Sequence, residues 1–118
     1  LRSMHELSLV QSMMTIILEE RDRHDLGKVS RVRVRNGALA GAVTEALTFA
    51  WEALTPGSEL EGVELIVEEV PLKVRCGSCK TEFAPEDRHY MPCPKCGEFL
   101  GHEVLAGKEL LIESIEAD

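Results

Sequence analysis

Two Cys-x-x-Cys pairs, Cys76-Gly-Ser-Cys79 and Cys93-Pro-Lys-Cys96, contain all four cysteines of the chain. A two-residue gap lets one tight turn aim both thiolates at the same ion. Two such turns supply the four sulfurs of the closed tetrahedral set that zinc takes at a structural site. Gly97 follows the last cysteine, where a metal-binding turn takes a residue tolerant of positive φ. The spacing alone also admits two disulfides or a rubredoxin-like iron site. The N-terminus has no hydrophobic stretch after a basic start, and no apolar run is long enough to span a bilayer. A cytoplasmic location is therefore expected, where cysteines stay reduced and bind metal. Structural zinc is the expected occupant, and with four thiolates bound it has no open position for hydrolysis.

The 118 residues suffice for one small domain, or for a small domain carrying a metal-stapled lobe. Hydrophobic residues make up 44% and charged residues 29%, which places the chain among globular proteins. Its formal charge of -8 argues against a nucleic-acid-binding zinc ribbon, which needs a basic face. Around the cysteines only Lys73, Arg75, Lys80, Arg88 and Lys95 could form one. There is no glycine-rich phosphate loop, no Gly-x-Ser-x-Gly and no His-Glu-x-x-His, so an enzyme is not expected. His89 and His102 lie near the cysteines in sequence and read as surface histidines.

Apolar residues recur at helical spacing from Leu7 through Val10, Met14 and Ile17, widened by Leu9, Met13 and Ile16. This predicts an amphipathic helix from Leu7 to about His24, stopped by Gly27. Val29 to Asn36 alternates, with Val32 and Val34 on one side and Arg31, Arg33 and Arg35 on the other. That is a half-buried strand whose arginine row reads as a solvated outer face. Asn36-Gly37 is expected to turn the chain into a second helix with Val43, Ala46, Leu47, Ala50, Trp51 and Leu54 on one side. A second strand follows around Val63, Leu65 and Val67. Residues 97–102 are expected to form a closing hairpin, and Lys108 to Glu116 a third strand that returns to the first sheet. The predicted fold is α+β: a small three-stranded mixed sheet with two helices, plus an inserted zinc-ribbon lobe. Residues 4–70 plus 108–118 make the first domain and 71–107 the zinc-binding lobe. Residues 1–3 read as a cloning remnant or an upstream start, because Met4-His5-Glu6 looks like a native beginning.

Met4-His5-Glu6 has a chemistry of its own. An imidazole and neighbouring backbone nitrogens can share one plane, which suits Ni(II) or Cu(II). Met4-His5-Glu6-Leu7-Ser8 opening a helix resembles the start of the HypA/HybF nickel metallochaperones of hydrogenase maturation. Leu47-Thr48-Phe49-Ala50, Glu61-Gly62-Val63-Glu64-Leu65, the two Cys-x-x-Cys pairs and Gly107-Lys108-Glu109-Leu110 are similar landmarks in the same order. The resemblance implies nickel bound by the His5 imidazole and the backbone nitrogens of Met4, His5 and Glu6, with the Glu6 side chain nearby. It implies zinc on Cys76, Cys79, Cys93 and Cys96. It further implies nickel delivery to the [NiFe]-hydrogenase large subunit precursor with a nickel-binding maturation GTPase (HypB). Some members also serve urease maturation proteins. A monomer or homodimer is expected, with no nucleic-acid or membrane partner.

Overall fold

The structure, a computed structural model, describes the backbone of residues 2–118 and the side chains from His5 onward. Leu1 and the Met4 side chain lie outside the described residues. Helix α1 (Arg2–Arg23) is followed by strand β1 (Val29–Gly37), a 3-10 turn (Ala38–Ala40), helix α2 (Thr44–Leu54) and strand β2 (Glu64–Val70). Three short strands come next: β3 (Lys73–Arg75), β4 (Glu82–Phe83) and β5 (Glu103–Ala106). Strand β6 (Leu110–Ala117) ends the chain. Two three-stranded sheets result, with orders β2-β1-β6 and β4-β3-β5.

The chain divides into two compact units. The first holds residues 1–35, 42–68 and 111–118, and the second holds 36–41 and 69–110. Segment 36–41 thus sits with the cysteines, whereas the sequence placed it in the first domain. The reason is backbone pairing: Gly37 N–H donates to Glu109 O at 3.2 Å and Leu39 N–H to Gly107 O at 2.8 Å. Asn36-Gly37 is accordingly no turn. Both residues stay in β1 and are buried, and the chain reverses later.

In the first unit α1 packs on α2. The buried stripe of α1 is Glu6, Val10, Met13 and Ile17, at spacings that keep one helical face. The unit's other buried apolar residues are Val29, Val32 and Val34 of β1, Leu47, Ala50 and Trp51 of α2, and Leu60 and Val63. The Trp51 indole N–H is buried too, and it donates to Val63 O at 2.9 Å, so the large ring costs no lost hydrogen bond. The helix begins at Arg2, earlier than Leu7, and so includes Met4-His5-Glu6.

The arginines of β1 do not face water alone. Arg31 pairs with Glu64 at 2.7 Å and Arg35 with Glu68 at 3.5 Å, so β2 advances with β1 and is parallel to it. Arg31 also pairs with Glu116 at 3.3 Å and Arg35 with Glu113 at 3.5 Å, so β6 runs the opposite way. The sheet is therefore mixed. A parallel neighbour needs a long crossover, and α2 supplies it. These pairs are half-exposed and screened by water and salt, so their larger effect is on register.

In the second unit β3 pairs antiparallel with β4, Val74 opposite Phe83, and with β5, Val74 opposite Val104. The closing strand is thus Glu103–Ala106, beyond the 97–102 hairpin expected from sequence. Strands of two to four residues are too short to show a period. Among the described residues no helix is long and apolar enough to cross a membrane.

Candidate metal centre

The end of β3 delivers Cys76, and the two cysteine turns then repeat one backbone scheme. Cys76 N–H donates to Thr81 O at 2.8 Å, and Lys80 N–H returns to Cys76 O at 3.2 Å. Cys93 N–H donates to Glu98 O at 2.8 Å, and Gly97 N–H returns to Cys93 O at 2.9 Å. The residue after each second cysteine is left-handed, Lys80 at φ 68° and Gly97 at φ 82°. Glycine does this freely. Lysine does it at a steric cost of roughly 1–2 kcal/mol, so the first turn is held by what it binds.

The four Sγ atoms lie within 4.8 Å of one another. Cys76 and Cys96 approach to 3.5 Å, and Cys79 and Cys93 to 3.6 Å. Disulfide sulfurs stand about 2.05 Å apart, so these are free thiols. A tetrahedron with metal–sulfur bonds of about 2.3 Å has edges of about 3.8 Å, close to the gaps found. Backbone N–H groups already point at the two buried sulfurs. Ser78 and Cys79 donate to Cys76 Sγ at 3.3 and 3.4 Å, and Lys95 donates to Cys93 Sγ at 3.4 Å. Such bonds favour sulfur as the anion.

The electrostatics call for a cation. The Cys79 N–H is the largest cause holding the Cys76 thiol below its ordinary range. The Thr81 hydroxyl and then its backbone lower Cys79 to about 6. At Cys96 the Glu98 backbone favours the thiolate, but the hydrogen bond with Cys76, burial, and the Cys79 and Cys93 sulfurs outweigh it and push the thiol up to about 12. Four sulfurs this close cannot all ionise unaided, and a bound divalent ion removes that conflict. The donor set fits a structural zinc ion.

Two flanking residues were not legible as parts of the site. Thr81 Oγ1 lies 3.1 Å from Cys79 Sγ. His102 is half-buried, unlike exposed His89. Gly77 N–H donates to His102 Nδ1 at 3.1 Å, so Nε2 carries the proton, which it gives to Met91 O at 2.8 Å. The imidazole thereby ties the first cysteine turn to the approach of the second, with the Phe83 ring edge-on at 5.3 Å. A Cβ added at Gly77 would run into the Gly101 carbonyl. Gly77→Ala should therefore displace the first turn and weaken zinc retention on the order of tenfold. Competition with a chromophoric chelator measures this, and Ser78→Ala is the silent control.

The other candidate residues lie in the first unit. His5 is exposed. Glu6 is turned inward, 1% exposed, and its Oε2 accepts the Val43 N–H at 2.9 Å.

The fold and this centre define a small α+β metal-binding protein whose second unit is a four-cysteine zinc ribbon. A family model described as "Hydrogenase/urease nickel incorporation, metallochaperone, hypA" matches residues 4–117. The hydrogenase maturation factor HypA of Solidesulfovibrio magneticus is 44% identical over 117 residues, covering 98% of this chain and 100% of that protein. The HypA of Lawsonia intracellularis is 37% identical, with 98% and 100% covered. The solution structure of the nickel metallochaperone HypA from Helicobacter pylori shares the fold, with a TM-score of 0.66 at 23% identity, covering 95% and 96% of the two chains. A second HypA solution structure aligns with a TM-score of 0.69 at 24% identity, with 97% and 96% covered. The chain belongs to the HypA family, the nickel-incorporation metallochaperones of hydrogenase maturation.

Proposed function

We propose that this chain binds Ni(II) at the first turn of α1 and passes it, together with a partner GTPase of the HypB type, to the [NiFe]-hydrogenase large subunit precursor. The observation that carries the reading is an exposed histidine, His5, in the opening turn of a helix where the family match begins. The donors are the His5 imidazole and the backbone nitrogens of Met4, His5 and Glu6. Imidazole and planar nitrogen sets suit nickel, and the sulfur centre of the second unit suits zinc, so the two ions sort by donor type. Transfer requires no covalent chemistry. A surface site of few donors releases its ion by ligand exchange, and the protein acts as a carrier in the cytoplasm. The zinc unit has a structural role.

The donors also dictate a conformational step. In a helix successive N–H vectors run parallel to the axis. A chelate needs them to converge on one ion. Residues 4–6 must therefore leave helical geometry when nickel binds through their nitrogens. His5→Ala should remove specific nickel binding and leave zinc content and the circular dichroism of the fold unchanged. Isothermal titration of the zinc-loaded variant measures it. Wild-type affinity in that variant would place the nickel site elsewhere.

A further inference from the structure

The α2 helix lacks a cap of its own. Its N-cap residue is Val43, whose side chain has no oxygen to offer the first N–H groups. The missing acceptor comes from α1. Glu6 Oε2 accepts the Val43 N–H at 2.9 Å, and the carboxylate sits at the positive end of the α2 dipole. The side chain is 1% exposed, and Oε1 finds no hydrogen-bond partner among the described residues. A buried carboxylate with one oxygen unmet is held by few contacts. Leaving the site restores water to Oε1 and strips the Val43 N–H of its acceptor. Each arrangement therefore leaves one polar group unmet.

Glu6 directly follows His5. From this geometry we infer that Glu6 is a positioning residue for the nickel-binding turn, acting from the N-terminus of α2 and not as a ligand. The inference rests on the nickel site proposed above. While Glu6 caps α2, residues 4–6 are kept helical and their nitrogens diverge. When nickel gathers those nitrogens, the unwinding turn withdraws the Glu6 carboxylate and α2 loses its cap. Loading is thereby written onto the start of α2, where the Val43 side chain is 42% exposed and open to a partner. The coupling is reciprocal: if nickel uncaps α2, uncapping α2 must favour nickel.

Reciprocity gives the test its sign. The zinc-loaded full chain, Glu6→Ala, Glu6→Gln and His5→Ala are compared at one fixed pH by nickel titration and by hydrogen exchange at the Val43 amide. Glu6→Ala should raise Val43 exchange about tenfold or more without nickel, because the amide loses its acceptor. The same variant should bind nickel several-fold more tightly, since no cap remains to be broken. Glu6→Gln keeps a carbonyl oxygen facing Val43 and should restore both wild-type behaviours. Nickel should raise Val43 exchange in the wild type and leave it unchanged in His5→Ala. If nickel binds through His5 while the Val43 amide stays protected, the coupling is overturned and the site stands. Weaker binding in both Glu6 variants would make the carboxylate a ligand and equally overturn the inference. Nickel binding indifferent to His5 would remove the proposed site itself. Should Glu6→Ala fail to fold, the wild-type and Glu6→Gln exchange rates still decide.

Discussion

Cys76→Ala should unfold the second unit outright, and so should a strong chelator acting on the wild type. Among the described residues the unit's buried apolar side chains are Leu72, Val74, Cys76 and Cys93, and two of these belong to the four-cysteine group that fits zinc. Two aliphatic side chains stabilise by about 1.5–3 kcal/mol each. That is too little to offset the conformational entropy lost in ordering the unit's chain. The strands contribute little, since β4 has two residues and β3 three. Metal binding, on the order of 10 kcal/mol at such sites, is then the largest single favourable contribution, and the unit does not hold without it. Acid should produce the same unfolding, because thiolates must be deprotonated to hold zinc, and protons displace it as the pH falls. The first unit should survive. Among the described residues its core has eleven buried apolar residues, from Val10 to Val63, and none is a cysteine. Amide resonances of residues 72–106 should collapse to random-coil positions, while Trp51 keeps its buried emission. A zinc-free second unit with dispersed resonances would refute the metal-dependent fold.

How much of this was legible in the sequence depends on how local the signal is. The cysteine pairs announce a metal because both ligands of a turn lie within four residues. Val32 and Val34 against Arg31, Arg33 and Arg35 announce a strand for the same reason, and both valines are buried as expected. Asn36-Gly37 misled because a strong local turn signal lost to cross-chain pairing with Glu109 and Gly107. Strands β3 and β5 could not be seen, because they exist only through each other. Glu6 is the instructive case. Its spacing to Val10, Met13 and Ile17 puts it on the buried stripe, yet a carboxylate there looks like a solvated exception. Only the uncapped start of α2 accounts for its burial, and that lies 37 residues away in sequence. His102 likewise resembles any surface histidine until Gly77 and Met91 are placed against its two nitrogens.

Nickel should bind a chain that begins at Met4 on the order of tenfold or more tightly than the 118-residue chain, in which Leu1-Arg2-Ser3 precede Met4. Two effects point the same way. A free Met4 amine has a pKa near 8 and gives up its proton readily to a metal. In the longer chain that nitrogen is an amide, and binding through it requires loss of a far less acidic proton. Using the displaced amine at Leu1 instead closes a longer loop, at an entropy cost. The second effect is helical. Helix α1 starts at Arg2, so Arg2 and Ser3 offer carbonyl acceptors to the N–H groups of Glu6 and Leu7. Starting at Met4 removes those acceptors and puts residues 4–7 among the unpartnered first N–H groups, which unwind at little cost. The longer chain should therefore gather the same donors at a greater cost and hold nickel more weakly. The shorter one should show a planar nitrogen spectrum. Zinc content should be equal in both, because the cysteine centre lies in the other unit. Nickel titration and X-ray absorption of the two chains side by side make the comparison. A planar spectrum and equal affinity in both would show that the Met4 amine is no ligand, and the donor set would then have to be rebuilt around His5 and other side chains.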